Sequence, residues 1–161
     1  MLIPASASPG PADGLWQHTC FEAFVAVRDA AGYQEFNFSP SGQWASYRFS
    51  AERVRDTAAE SASAALSLPP PSVAWHCTPK ALVLEAWLPA SALHTSGSGQ
   101  PLDLSLTAVI ETKDQQLSYW ALRHPGAKPD FHQRQGFAAQ IPAALADPAC
   151  GPATPSHRPT S

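Results

Sequence analysis

Short runs in which side chains alternate in polarity every second residue, each closed by turn formers, leave this chain few possible folds. In CFEAFVAV (Cys20–Val27), Phe21, Ala23, Val25 and Val27 point one way and Cys20, Glu22, Phe24 and Ala26 the other. YQEFNF (Tyr33–Phe38) follows, then an SPSG turn (Ser39–Gly42), then QWASYRF (Gln43–Phe49). These three segments predict an antiparallel meander. SVAWHC (Ser72–Cys77) turns through Thr-Pro-Lys into ALVLEAWL (Ala81–Leu88). LDLSLTAVIE (Leu102–Glu111) turns through KDQQ into LSYWAL (Leu117–Leu122), and GFAAQI (Gly136–Ile141) is the last strand. The pattern predicts an all-β antiparallel sandwich with long loops and at most short helical turns. Ala51–Ser67 reads as a long loop with one helical turn, ended by the prolines at 69–71. Parity puts Phe21, Val25, Phe36, Phe38, Leu84, Leu104, Leu106 and Ile110 in the core between sheets.

The 161 residues suffice for one domain with its own core. Residues 1–14 and 147–161 are rich in Pro, Ala, Ser and Gly and bury too little apolar area to offset their ordering entropy. The expectation is a disordered leader, a folded unit over 15–146 and a disordered tail. The net charge is −3 and no basic cluster interrupts the aromatics, which excludes a nucleic-acid footprint. No apolar stretch approaches membrane-spanning length, and the N-terminus lacks the pattern of a secretory signal. Cys20, Cys77 and Cys150 form no C-x-x-C pair and are odd in number, so free thiols in a cytoplasmic setting are expected rather than a disulfide or zinc framework.

Two sets of residues point to a ligand. Glu22, Glu35, Asn37 and Arg48 sit on strands and form a polar row, read either as a solvated sheet surface or as a hydrogen-bonding floor. Among five tryptophans, Trp16 and Trp120 lie at strand edges beside polar loops, where an indole can stack on the C–H face of a sugar. The loop His124–His132 adds two imidazoles and Asp130, which permit an acid/base or metal reading but equally serve as loop polar groups. G-x-S-x-G, P-loop, G-x-G-x-x-G and H-E-x-x-H patterns are absent, and no carboxylate pair announces itself as glycosidase machinery. No catalytic residue is therefore expected.

The runs DGLWQHTCFEAFVAV, YQEFNFSPSGQWASYRF and LSYWALRHPGAKPDFHQRQGF carry W-Q-x-T-C-F-E, E-F-N-F-S-P-S-G-x-W and Y-W-A-L-x-H-P followed by P-D-F-H. Over roughly residues 13–141 the chain resembles bacterial DOMON-like proteins, relatives of carbohydrate-binding module family 9. The resemblance implies a β-sandwich that binds sugars or haem. It implies that Trp16 and Glu22 help form a sugar site, that a later tryptophan, matched by Trp120, completes an aromatic clamp, and that Asn37 faces the ligand. It also implies two or three strands ahead of the D-x-L-W motif. This chain has its Pro/Ala/Ser leader there, so it reads as an N-terminally shortened member with part of one sheet missing. Haem held by Met and His is not expected, because the one methionine is Met1. A structural calcium is left open, and no other cofactor is expected.

Three functions remain at this stage. The first is a non-catalytic module for a small ligand, a carbohydrate, using Trp16, Glu22, Asn37, Arg48 and Trp120. The second is a structural or protein-interaction domain without a ligand. The third is an enzyme built on His124, Asp130 and His132.

Overall fold

Strand β2 (Cys20–Val27) is apolar on nearly every position of both parities, the composition of a strand covered on both faces. In a computed structural model, which describes residues 1–66, 69–93 and 99–143, β2 lies in the middle of an eight-stranded sheet. It pairs antiparallel with β3 (Tyr33–Phe38) on one side and with β8 (Leu102–Glu111) on the other. Beyond β3 comes β4 (Gln43–Ala51), then β1 (Gly10–Pro11) and β5 (Val54–Arg55), both paired to β4. The β2–β3–β4 meander is the one its alternation predicts. Its second turn closes with Ser39 donating to Gln43 O, and Gly42 there takes φ +91°, which favours a residue without Cβ.

Two short strands continue the far edge. β9 (Leu117–Ala121) pairs with Thr107–Glu111 of β8, and β10 (Ala139–Ile141) pairs with its Leu102–Leu104 end. The chain leaves the sheet between them and folds back over one face, where Phe131 and Phe137 pack on Phe24, Ala26 and Tyr33. We call this the cleft face. The opposite face carries Ala23, Val25, Phe36 and Phe38, covered by the hairpin of β6 (Ser72–Cys77) and β7 (Leu82–Trp87) through Val73 and Leu84. The result is an all-β, sandwich-like fold with two very unequal layers.

Several sequence expectations need correction. The leader over 1–14 is bound to the sheet: Leu2 donates to Glu111 O, Ala7 to Ser41 O and Ala12 to Trp44 O, and β1 runs parallel to β4. A true helix, α1 (Thr57–Ala64), stands where one turn is expected. No residue of α1 is buried, so no apolar stripe marks it; Asp56 caps it by accepting from Ala59 N. The tail expected over 147–161 lies outside the described residues. Of the expected core, Val25, Phe36 and Phe38 are buried, and Leu84 and Leu104 are partly buried against them. Phe21 and Ile110 are half-buried. Leu106 is 48% exposed, because the two-stranded hairpin covers the Leu102–Leu104 end of β8 and stops short of it.

Replacing Phe36 by Ala is expected to cost about 3–5 kcal/mol of stability, as for other large buried rings. Leu106→Ala, on the same face but uncovered, should cost under about 1 kcal/mol. Urea unfolding of the two variants checks this, and equal losses would refute the unequal layers.

Candidate functional site

The cleft face holds more polar side chains than a core can leave unsupported. Register fixes which ones. Glu22 stands directly across from Asn37 on β3 and Thr107 on β8, and Glu35 across from Phe24 and Tyr47. Glu22 and Glu35 are therefore diagonal neighbours on one face, a relation that spaces residues by roughly 7–8 Å. Both side chains belong to buried residues, Glu22 only 5% exposed, and both line a cleft of about 750 Å³. Phe24, Phe49 and Val109 supply the apolar floor; Trp16, Tyr119 and the Pro129–His132 segment form walls.

The hydrogen bonds show how the acids are held. Glu22 accepts from Thr107 Oγ1 at 2.9 Å, and Glu35 accepts from Asn37 Nδ2 at 3.0 Å. The second oxygen of Glu22 has no partner among the described residues. Asn37 is fully buried and its Oδ1 is also unpartnered, so the floor lacks a donor. Tyr33 Oη accepts from Arg53 N at 3.1 Å and lies 2.8 Å from His132 Nδ1. The other ring nitrogen, Nε2, faces Glu35 at 3.9 Å. Arg53 takes φ 58°, a conformation costly for a side-chain-bearing residue, and is fixed there by Tyr33 and by its 2.7 Å ion pair to Asp130. His132 N also donates to Asp130, so this one carboxylate anchors both the folded-back loop and the β4–β5 turn.

Desolvation dominates the acidity of these groups. Burial raises Glu22 to about 8, helped by the nearby Glu35 and opposed by Thr107. Burial raises Glu35 to about 7, opposed by Asn37 and by the charges of Arg55 and Arg53. Burial lowers His132, with Arg53 adding to the effect. At neutral pH Glu22 is mostly a neutral acid, able to donate as well as accept, and Glu35 is divided between its two forms.

The sequence-derived candidates fall on two sides of the sheet. Trp16, 51% exposed, and Glu22 line the cleft as expected. Asn37 shares this face but lies beneath it, holding Glu35. Trp120 pairs with Ala108 and so projects from the hairpin face, 64% exposed; it cannot form a clamp with Trp16. Its neighbour Tyr119, across from Val109, is the aromatic that reaches the cleft. Arg48 pairs with Gln34, also on the hairpin face, and reaches toward Ser63 of α1. Asp130 and His132 line the cleft, whereas His124 is exposed and touches only the Phe131 ring among these groups. Sequence reading did not single out Asp13, Arg53, Arg55 or Tyr119; each reaches the cleft from a turn, edge strand or leader whose placement depends on long-range pairing.

Among the described residues no cluster of three or more His, Cys, Asp and Glu is placed to hold a metal ion. No helix of the described residues is long and apolar enough to cross a membrane. Cys20 is buried and Cys77 exposed, both as free thiols. No family model, no curated protein and no solved structure matches the chain.

The raised acidity constant of Glu22 makes a signed prediction. A carboxyl that is harder to ionise in the fold than in the open chain stabilises least at high pH, so stability should rise as pH falls through about 8 toward 6.5. Below 6.5 the buried, neutral His132 begins to oppose the trend. Glu22→Gln should flatten this rise and be the more stable protein at pH 8, by roughly 1–3 kcal/mol. Denaturant unfolding of both proteins across this range is the check; parallel pH profiles would refute it.

Proposed function

We propose that the protein is a non-catalytic module that binds a small polyhydroxy ligand, a sugar, in the cleft over Glu22 and Glu35. One observation carries this reading: two exposed aromatic rings, Trp16 and Tyr119, border a floor of buried carboxyl groups inside a space of sugar size. An indole or phenol ring covers the C–H face of a pyranose, while carboxyl groups meet its hydroxyls. Glu22 in its neutral form offers a donor and acceptors, and Glu35 offers acceptors, so each end of a hydroxyl can be satisfied. The DOMON-like and family 9 resemblance points to the same ligand class, with Tyr119 in the place expected of Trp120.

Glu22 and Glu35 also have the proton affinities that acid/base chemistry uses. The bonds that hold them favour binding over turnover: Glu22 is tied to Thr107, and Glu35 to Asn37, a fixed donor that resists its exchange of roles. A second function finds support on the hairpin face. Leu106, Trp120 and Leu122, each about half exposed or more, lie side by side there without covering residues among those described and suit an interaction surface.

Isothermal titration against mono- and disaccharides tests the binding reading, with affinities expected on the order of micromolar to millimolar. Trp16→Ala should abolish the heat, and Trp120→Ala should leave it unchanged, since Trp120 is on the other side of the sheet. No heat with any sugar, or loss of binding in Trp120→Ala alone, would overturn the assignment.

A further inference from the structure

The cleft has an excess of acid that a neutral sugar leaves uncompensated. Its lining includes four carboxyl groups, Asp13, Glu22, Glu35 and Asp130, against two guanidinium groups, Arg53 and Arg55. Both arginines are already engaged in ion pairs. Arg53 is paired to Asp130 at 2.7 Å, and Arg55 is paired to Glu60 at 2.9 Å and lies over the Tyr47 ring at 4.3 Å. Asp13 is taken up by the Tyr47 hydroxyl. His132 is turned so that Tyr33 holds one nitrogen and the other faces Glu35 at 3.9 Å. The unmet demand is therefore at Glu22 and Glu35, where one carboxyl oxygen of a nearly buried side chain has no donor and opens on the cleft.

Building on the sugar-binding reading, we propose that the preferred ligand of this cleft is an amino sugar, whose protonated amine sits between Glu22 and Glu35 while its ring rests on Trp16 and Tyr119. An ammonium brings three donors and a full charge to a floor that lacks both. Phe24, Phe49 and Phe131 line the same space, and their ring faces favour a cation over a second anion. A neutral hydroxyl supplies one donor and no charge, so at least one of the two acids stays protonated beneath it. A free carboxylate on the ligand would meet the same two acids and be repelled. Charge-assisted hydrogen bonds to desolvated carboxylates exceed neutral ones, so the amine should improve affinity roughly tenfold or more over the matching hydroxyl.

Burial favours the protonated form of both acids in the free protein, and an ammonium between them favours the carboxylates. Binding should therefore expel protons. The groups that face the pair and also titrate or carry charge are Asp13 and Tyr47 toward the leader, Arg53 and Arg55 on the β4–β5 side, and Asp130 and His132 on the loop. Of these, His132 is pushed by burial toward its neutral form, Arg53 is paired to Asp130 and Arg55 to Glu60.

The test is calorimetry on the full chain at about pH 7, with glucosamine, galactosamine, their N-acetyl forms, glucose, galactose and tetramethylammonium as titrants. Repeating it in buffers of different ionisation heat counts the protons. The expected result is at least roughly tenfold tighter binding of one free amino sugar than of its N-acetyl and neutral counterparts, with release of about one proton. Glu22→Gln and Glu35→Gln should each erase that preference, bringing the amino sugar's affinity down to that of its N-acetyl counterpart in the same variant, and thermal unfolding confirms that the variants fold. Equal affinity for amino and neutral sugars, or no proton release, would overturn this inference and leave the sugar reading standing. No binding of any sugar would overturn the sugar reading itself and this inference with it. Tetramethylammonium bound as tightly as the amino sugar would show that the cation alone is recognised, and would overturn both.

Discussion

Everything in the fold follows from the position of β2, paired along its whole length with β8 and over Phe21–Val25 with β3. A strand with partners on both sides has all its backbone groups satisfied, so its side chains can be fully removed from water on either face. On one face that removal is inexpensive: Ala23 and Val25 pack with Phe36 and Phe38 beneath the β6–β7 hairpin. On the other face it takes Glu22 with it. An acid in that position must be neutralised, paired or hydrogen-bonded. Here it is bonded by Thr107 and set beside a second buried acid, and no guanidinium of the described residues bonds it. The cleft's chemistry is thus a consequence of strand parity.

Much of this was open to a sequence reading. The alternation of CFEAFVAV and YQEFNF places Glu22, Glu35 and Asn37 on a shared face, given the β2–β3 register that the structure shows. Alternation alone joins Arg48 to them, and the Ser39–Gly42 turn places it on the opposite face. That turn sets Phe38 across from Trp44, so Tyr47 faces Glu35 and Arg48 faces Gln34 on the other side. A polar residue on a neighbouring strand is no guide to the face unless the turn has been counted. LSYWAL poses the same problem in sharper form, because Tyr119 and Trp120 are both aromatic and both exposed, and only the pairing of Val109 with Cys20 and Tyr119 decides which one meets the cleft.

Other features could not be read locally. α1 has no buried residue, so its formation rests on alanine-rich propensity, the Asp56 cap and the Glu60–Arg55 pair, none of which leaves a hydrophobic period. The leader's attachment depends on unpaired backbone groups at the β4 edge and at Glu111, which a Pro/Ala/Ser segment can satisfy without an alternating apolar pattern. Arg53 reaches the cleft only because the β4–β5 turn takes a left-handed backbone there and Tyr33 accepts its N–H.

The decisive irregularity is the break between β9 and β10. A single continuous strand along the β8 edge would pair from Leu102 to Glu111 and leave the cleft face an open, hydrated sheet. Glu22 and Glu35 would then keep the ordinary acidity of surface carboxyls, and Phe24 would be exposed beside them. Instead the chain departs after Ala121 and returns at Ala139, bringing Phe131, His132 and Phe137 down on Phe24. The loop dries one side of the acid pair and its Asp130 carboxylate pairs with Arg53, one of the two arginines that line the cleft. Folding the loop thus raises the proton affinity of the floor by two routes, removing water and occupying a counter-charge. The desolvation that raises the two acids' proton affinity is the same quantity that the proposed ligand, by bringing donors and charge, would relieve.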